Sequence, residues 1–341
     1  MKKFGLSFFL VAALLLSGAD APAQGARSDA PQPLPKREKV VVGMPGKLLM
    51  NASVMVAKGL GEFEKENLEV EYSIQKPSDG LVLLSTGRID VLTSQPSAAF
   101  FNAVAQGSEV KLVMPTGVLA PKTGFWASNA WLRGRTYQPG MLKGATIASY
   151  GSKGALDGFA MSLELAKAGY TLNDIQWKQM GLSDQLIALE NGAIDLALLL
   201  DPVWRKADES KVSFVIPFPA DLTGTFFFGR NLLVERRAVG EAFTRAIART
   251  VRTHLQGAYG SNPKVGAVLA AELQMSEEQV RTMTGGIKFP PDMPVRGDLS
   301  DVAQKAFFAV PGVLNYQSPL PAERVIDLGF LEAAGVRGAA K

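Results

Sequence analysis

The tetrad Gly151-Ser152-Lys153-Gly154 carries the sharpest local chemistry in the chain. It separates a short apolar run, Ala145 to Ser149, from a helical pattern bearing Leu156, Phe159, Ala160, Leu163 and Leu165. Free N–H groups at a helix start, together with the helix dipole, favour an anion. The glycines admit a ligand to the backbone, Ser152 adds a hydroxyl and Lys153 a charge. An ordinary helix start with an exposed lysine fits the same residues. Thr93-Ser94-Gln95-Pro96-Ser97 offers Ser94 and Gln95 as hydrogen-bonding groups, or is a polar turn. Lys47, in Met44-Pro45-Gly46-Lys47-Leu48, meets an acid or stays solvated. Thr116 follows the apolar run Val110 to Met114. Asp201, before Pro202, suits a ligand amine, a loop contact or a plain turn. Trp204 stacks on a ligand or packs as core.

These residues need elements to hold them. Val40 to Val42, Glu69 to Ile74, Ile89 to Leu92 and Val110 to Met114 read as strands, with helical spacing between them from Asn51 and from Ser78, which can cap its helix. Pro96 marks another helix start. The pattern begins again with Ala145 to Ser149, Ile175 to Gln179 and Leu196 to Leu200, with Ser183 as a helix cap. Strands alternating with helices imply parallel α/β sheets. Leu84 to Leu92, with Gly87 and Asp90, echoes Leu189 to Ala197, with Gly192 and Asp195, at a spacing of about 105 residues, too long for a solenoid repeat. Two similar α/β lobes follow. Thr225 to Phe228, running on to Val234, reads as the chain rejoining the first lobe. Ser276 to Gln279 is a capping box, and Asp301 to Val310 an amphipathic helix. Ligands of open α/β sheets bind beyond the carboxyl ends of the strands. That rule collects the candidate residues into one interlobe cleft. The aromatic residues Phe125, Trp126, Phe226, Phe227 and Phe228 line that cleft or pack as core.

Composition narrows the class. Lys2 and Lys3, an apolar run of 11 residues from Leu6 to Leu16, and Ala21-Pro22-Ala23 make residues 1–23 a cleavable signal peptide. The run is short of the roughly 20 residues needed to span a bilayer. Residues 24–38, rich in Pro, Ala, Gln and charge, read as a disordered linker. The chain has no cysteine, so neither a disulfide framework nor a lipobox is available, and a free periplasmic protein is expected. A net charge of +4 without an aromatic-interleaved basic cluster excludes a nucleic-acid partner. There is one histidine, His254, on a helical pattern far from the candidate loops, and no metal-ligand cluster. No cofactor, metal or catalytic residue is implied, and we expect a monomer without membrane insertion.

The runs Gly59-Leu60-Gly61-Glu62-Phe63, Leu68-Glu69-Val70 and Gly87-Arg88-Ile89-Asp90-Val91 resemble the opening of the nitrate/sulfonate/taurine type periplasmic binding proteins, the group that includes the thiamine-pyrimidine-precursor binders. Leu142-Lys143-Gly144, the Gly-Ser-Lys-Gly turn, Ala166-Lys167-Ala168-Gly169, Gly192-Ala193-Ile194-Asp195 and Asp201-Pro202 extend the resemblance over residues 39–260. It implies a type II periplasmic-binding fold: two α/β lobes, residues 39–122 with 226–341 and residues 123–225, joined by two crossovers and closing over a ligand. It also implies an ABC permease and ATPase as partners, and ligand contacts from Ser94-Gln95 and Ser152-Lys153-Gly154. The expected ligand is a small organic molecule, with an organosulfonate or similar anion favoured. The strand-end loops nevertheless lack the arginine that sulfonate binders often place there, and Met44 to Met50 is more apolar than a simple oxyanion site needs.

Two alternatives share the fold. One is an enzyme of lyase or pyrimidine-precursor type, although relatives of that kind rely on cysteine or histidine at the site. The other is a ligand-sensing module for a membrane receptor.

Overall fold

Short β-branched and aromatic runs, each ended by glycine, proline or a polar turn, become ten strands in a computed structural model that describes residues 29–75, 77–118, 122–200, 203–219, 224–295, 298–308 and 312–336. Residues 1–23, Asp201 and Pro202 lie outside the described residues. The first sheet takes β1 (Glu38–Met44), β2 (Leu68–Ile74), β3 (Val91–Ser94), β4 (Val110–Pro115) and β10 (Thr225–Gly229) in the order β2-β1-β3-β10-β4. The second takes β5 (Gly124–Ser128), β6 (Thr146–Ser149), β7 (Gln176–Gln179), β8 (Leu196–Leu199) and β9 (Val212–Pro217) in the order β7-β6-β8-β5-β9. The plan is the same twice. In each sheet one strand, β10 or β5, runs antiparallel to both neighbours. Each of these two strands belongs, by chain order, beside the other lobe.

The repeated Gly-x-Ile-Asp motif accounts for the likeness. Gly87 and Gly192 both adopt φ 70°, the left-handed region that ends a helix cheaply only at glycine. Asp90 then accepts Val41 N–H at 2.9 Å, and Asp195 accepts Thr146 N–H at 2.8 Å, each across 49 residues. The backbone N–H groups of Asp90 and Asp195 donate back to the carbonyls of Val41 and Thr146. Each carboxylate thereby clips β3 to β1, or β8 to β6. Arg236 and Asn231 also reach Asp90.

The helices of the first half are α1 (Ala52–Gly59), α2 (Pro77–Ser85) and α3 (Ala98–Ala105). The second lobe carries α4 (Asn129–Leu132), α5 (Leu156–Ala166) and α6 (Leu182–Glu190). After β10 come α7 (Arg237–His254), α8 (Pro263–Leu273), α9 (Glu277–Thr284), α10 (Leu299–Phe308), α11 (Ala322–Val325) and α12 (Gly329–Ala333). Their apolar faces cover the sheets: α1 packs on α7 and α8, and α6 on β8. No described helix is long and apolar enough to cross a membrane. The expected caps shift slightly. Pro96 stands two residues before α3, and Ser97 caps the helix by accepting Phe100 N–H. Ser78 and Ser183 fall inside the first turns of α2 and α6. Ser276 forms the expected capping box with Gln279. The run from Thr225 breaks at Gly229, and Asn231–Glu235 is a π-turn instead of strand.

Composition predicts a disordered linker as far as Glu38, yet from Asp29 onward the chain is tied down. The Arg249 and Arg245 guanidiniums donate to the carbonyls of Asp29 and Gln32, Leu34 N–H donates to Glu66 O, and Asn67 Nδ2 donates to Leu34 O. The anchor is a buried ion cluster that local composition does not reveal. Glu66 Oε1 and Oε2 lie 2.8 and 2.9 Å from Arg249 and Arg245, and Glu62 Oε2 lies 2.6 Å from Arg249. His254 Nε2 stands 3.0 Å from Glu62 Oε1.

Burial pushes the Glu62 carboxyl up, but hydrogen bonds from Lys65, Arg249 and His254 outweigh it and hold the pKa down to about 2, against 4.5 when unfolded. A depressed folded value means a contribution that is full above pH 4.5 and lost as pH falls towards 2. We therefore expect this group to account for about 3 kcal/mol of acid destabilisation. Urea unfolding at stepped pH checks it: the wild type should lose that much more than Glu62→Gln below pH 4.5, and parallel losses would contradict the assignment.

Candidate functional site

Both antiparallel strands begin where their parallel neighbours end. Thr225 pairs with Ser94 and Pro115, and Gly124 pairs with Leu199 and Pro217. The two crossover segments therefore enter at the carboxyl ends of the strands, where the loops of both sheets converge. They are bonded to each other at both ends: Thr116 N–H donates to Gly224 O at 2.7 Å, and Phe218 N–H donates to Thr123 O at 3.0 Å. A side chain on Gly224 would press on Thr116 Oγ1 at 2.6 Å and Met50 Cε at 2.8 Å, so glycine is what lets the second crossover close here. The lobes also touch directly. Ala98 N–H, at the start of α3, donates to Gly154 O at 3.1 Å. Phe307 of α10 packs between Phe101 of α3 and Phe159 of α5, with ring centroids 6.0 and 6.2 Å away.

Several buried polar side-chain atoms without a hydrogen-bond partner stand at strand ends, helix starts or crossover ends, besides Tyr72 Oη within β2. They include Ser53 Oγ in the first turn of α1, Gln75 Nε2 just beyond β2, Thr116 Oγ1 beyond β4 and Thr123 Oγ1 before β5. Gln185 Oε1 in the first turn of α6 and Trp204 Nε1 beyond β8 join them. Leaving such an atom unpaired costs about 1–3 kcal/mol. Of this set the sequence reading names Thr116 and Trp204. Ser53, Gln75, Thr123 and Gln185 escape it, although each stands just after a strand, in a helix's first turn, or where a crossover meets a strand.

The remaining candidates divide. Ser94 ends β3, and its carbonyl accepts from Thr225 Oγ1; Gln95 follows it, half-buried. Ser152 is exposed on the loop before α5, and Gly154 faces Ala98 and Val313. Lys47 turns to Glu272 of α8, 2.6 Å from its Oε2. Lys153 turns back into its own lobe and donates to Leu172 O at 2.8 Å. Trp204 stacks on Trp126, 6.4 Å between centroids, as part of the second lobe's small apolar core. Asp201 lies outside the described residues. Phe125, Trp126, Phe226, Phe227 and Phe228 are all core.

Asp157, which sequence reasoning missed, sits inside the Gly151 to Gly154 turn. Its Oδ2 accepts Ser149 Oγ at 2.5 Å and Gly151 N–H at 2.7 Å. Burial is the largest influence on it and raises its pKa, against the lowering effect of those two donors. Tyr72 is likewise pushed up, by burial first and then by the charges of Glu272 and Glu64. Lys58 lies 4.3 Å from the centre of the Tyr72 ring. Among the described residues no group of three His, Cys, Asp or Glu side chains forms a metal site.

Several solved structures share this architecture. The periplasmic aliphatic sulphonate binding protein SsuA from Escherichia coli is 19% identical over 86% of this chain and 92% of that one, with TM-score 0.61. The periplasmic nitrate-binding protein NrtA from Synechocystis is 13% identical over 88% and 89%, with TM-score 0.67. The desulfurization enzyme DszB is 14% identical over 88% and 99%, with TM-score 0.60. At these identities the likeness establishes the fold: two α/β lobes of the periplasmic-binding kind. No family model and no curated protein matches the sequence.

Because Lys153 is committed to a backbone carbonyl, Lys153→Ala should cost about 1 kcal/mol of stability and leave ligand affinity within about twofold. Thermal unfolding paired with calorimetric titration checks both. A large affinity loss at unchanged stability would place the ammonium at the ligand instead.

Proposed function

We propose that this chain is an extracytoplasmic solute-binding protein of an ABC importer, capturing a small organic ligand by closure of its two lobes. The observation that carries the reading is the set of partnerless buried polar atoms at strand ends, helix starts and the two bonded crossovers. Such a cradle binds, and its hinge lets it open. Ser94, Gln95, Thr116, Ser152 and Gly154 belong to the proposed cleft, with Ser53 and Thr123 added. Residues 39–122 with 226–341 form one proposed lobe and residues 123–225 the other. The fold neighbours named for sulphonate and nitrate import support this reading. So does the signal-like segment ending near Ala23, which would deliver the mature chain to the periplasm. The permease and ATPase of the importer are its proposed partners.

DszB, an enzyme, has the same fold. Against catalysis here stands the lack of any cysteine, and a single histidine engaged with Glu62 at 3.0 Å on α7. A sensing module would share every feature of the cleft; neighbouring genes for a permease or for a sensor kinase separate the two.

Protein taken from the periplasm, stripped by unfolding and refolding, and then given a small-molecule cell extract tests the reading. A ligand at 100 times its dissociation constant adds about 2.7 kcal/mol, or several degrees of melting temperature. The melting point should rise with extract, and mass spectrometry should return the ligand unaltered. No rise would overturn binding, and a chemically altered ligand would favour the enzyme.

A further inference from the structure

Resting on that reading, we infer that the cleft selects an uncharged organic ligand, and that Asp157 is a residue that enforces the choice. Burying an anion is costly unless a cation or several donors compensate it. The two lysines expected to compensate one are already engaged. Lys47 Nζ lies 2.6 Å from Glu272 Oε2, and Lys153 Nζ donates to Leu172 O at 2.8 Å. At two of the expected helix starts an N–H is taken by one of the chain's own oxygens. Ala98 N–H, opening α3, donates to Gly154 O, and Gly151 N–H, in the turn before α5, donates to Asp157 Oδ2. The turn wraps that carboxyl closely: a side chain on Gly151 would come within 2.5 Å of Asp157 Oδ2. An oxyanion approaching this turn meets a carboxyl oxygen in the seat it would take.

What is left over is neutral. The unpaired atoms of Ser53, Gln75, Thr116 and Thr123 belong to hydroxyls and an amide, suited to a ligand's carbonyl, amide or hydroxyl groups. Leu48 and Tyr150, on the loops after β1 and β6, are 43% and 46% exposed, and Met50 Cε lies against Gly224. These offer apolar surface to an apolar ligand body. The cleft thus matches a neutral molecule with an apolar frame and a few hydrogen-bonding groups.

Matched pairs of equal shape decide it. Benzamide against benzoate, benzenesulfonamide against benzenesulfonate, and propionamide against propionate are titrated calorimetrically into the stripped full chain. In every pair that binds, the neutral member should be tighter by about tenfold or more. Its affinity should be almost unchanged between about 20 and 500 mM NaCl. Asp157→Asn keeps an acceptor for Gly151 N–H and should raise the affinity for benzenesulfonate by about tenfold. A tighter anionic member, or strong salt dependence, overturns the ligand class; an unchanged anion affinity in Asp157→Asn overturns the role of Asp157. Binding by no pair also counts against the class drawn here. A melting-point rise with cell extract would then keep the broader solute-binding reading alive, and the absence of both would remove the two together.

Discussion

The placement of Asp90 and Asp195 governs the rest of the molecule. Each carboxylate accepts a backbone N–H from the parallel strand beside it, β1 for Asp90 and β6 for Asp195, and each is delivered by a glycine in the left-handed conformation. A charge-assisted bond of this kind contributes about 1.5–3 kcal/mol, but its geometric effect is larger. It fixes β3 beside β1, and β8 beside β6, in register, with both carboxyl ends at the same edge. Two sheets built to one plan then present two sets of strand-end loops. The chain brings those sets together by exchanging one antiparallel strand in each direction.

That exchange ties the two lobes at the strand ends. β5 and β10 start at the crossovers, so the links between the lobes and the strand-end loops meet at one edge of each sheet. The crossovers bond to each other at Thr116–Gly224 and Phe218–Thr123, leaving the hydroxyls of Thr116 and Thr123 buried without partners. Folding leaves an uncompensated cost at these two crossover ends. The C-terminal helices add a second link, since Phe307 sits against one phenylalanine from each lobe. Opening must either separate that aromatic contact or carry α10 with one side.

Much of this was legible in sequence. The Gly-x-Ile-Asp echo, the alternation of strands and helices, and the return of Thr225 to Phe228 to the first sheet all follow from local patterns that tertiary contacts reinforce. β5 and β9 were harder. Phe125 and Trp126 read as cleft wall or core and not as a strand, because a short, fully buried strand carries no period-two signal, and β9 gives little alternation. The destinations of Lys47 and Lys153 were not legible, since a long flexible side chain chooses its partner from tertiary neighbours such as Glu272 and Leu172 O. Asp157 lies inside the α5 pattern and looks like an exposed first-turn acid; only the folded turn shows it buried beneath Gly151. The order of Asp29 to Glu38 depends on Arg245, Arg249 and Glu66, more than 170 residues apart in sequence between arginine and acid.

The central claim is that two similar lobes close on a ligand through the paired crossovers. Val82 on α2 and Ile187 on α6 hold equivalent positions in the two lobes and are 61% and 59% exposed. The chain has no cysteine, so Val82→Cys with Ile187→Cys accepts a spin-label pair and nothing else. Pulsed electron-spin distance measurement on this double variant, stripped and then supplied with small-molecule extract, reads closure directly. The account predicts a broad stripped distribution that shifts to one narrower population with extract; a distribution that extract leaves unchanged would contradict it.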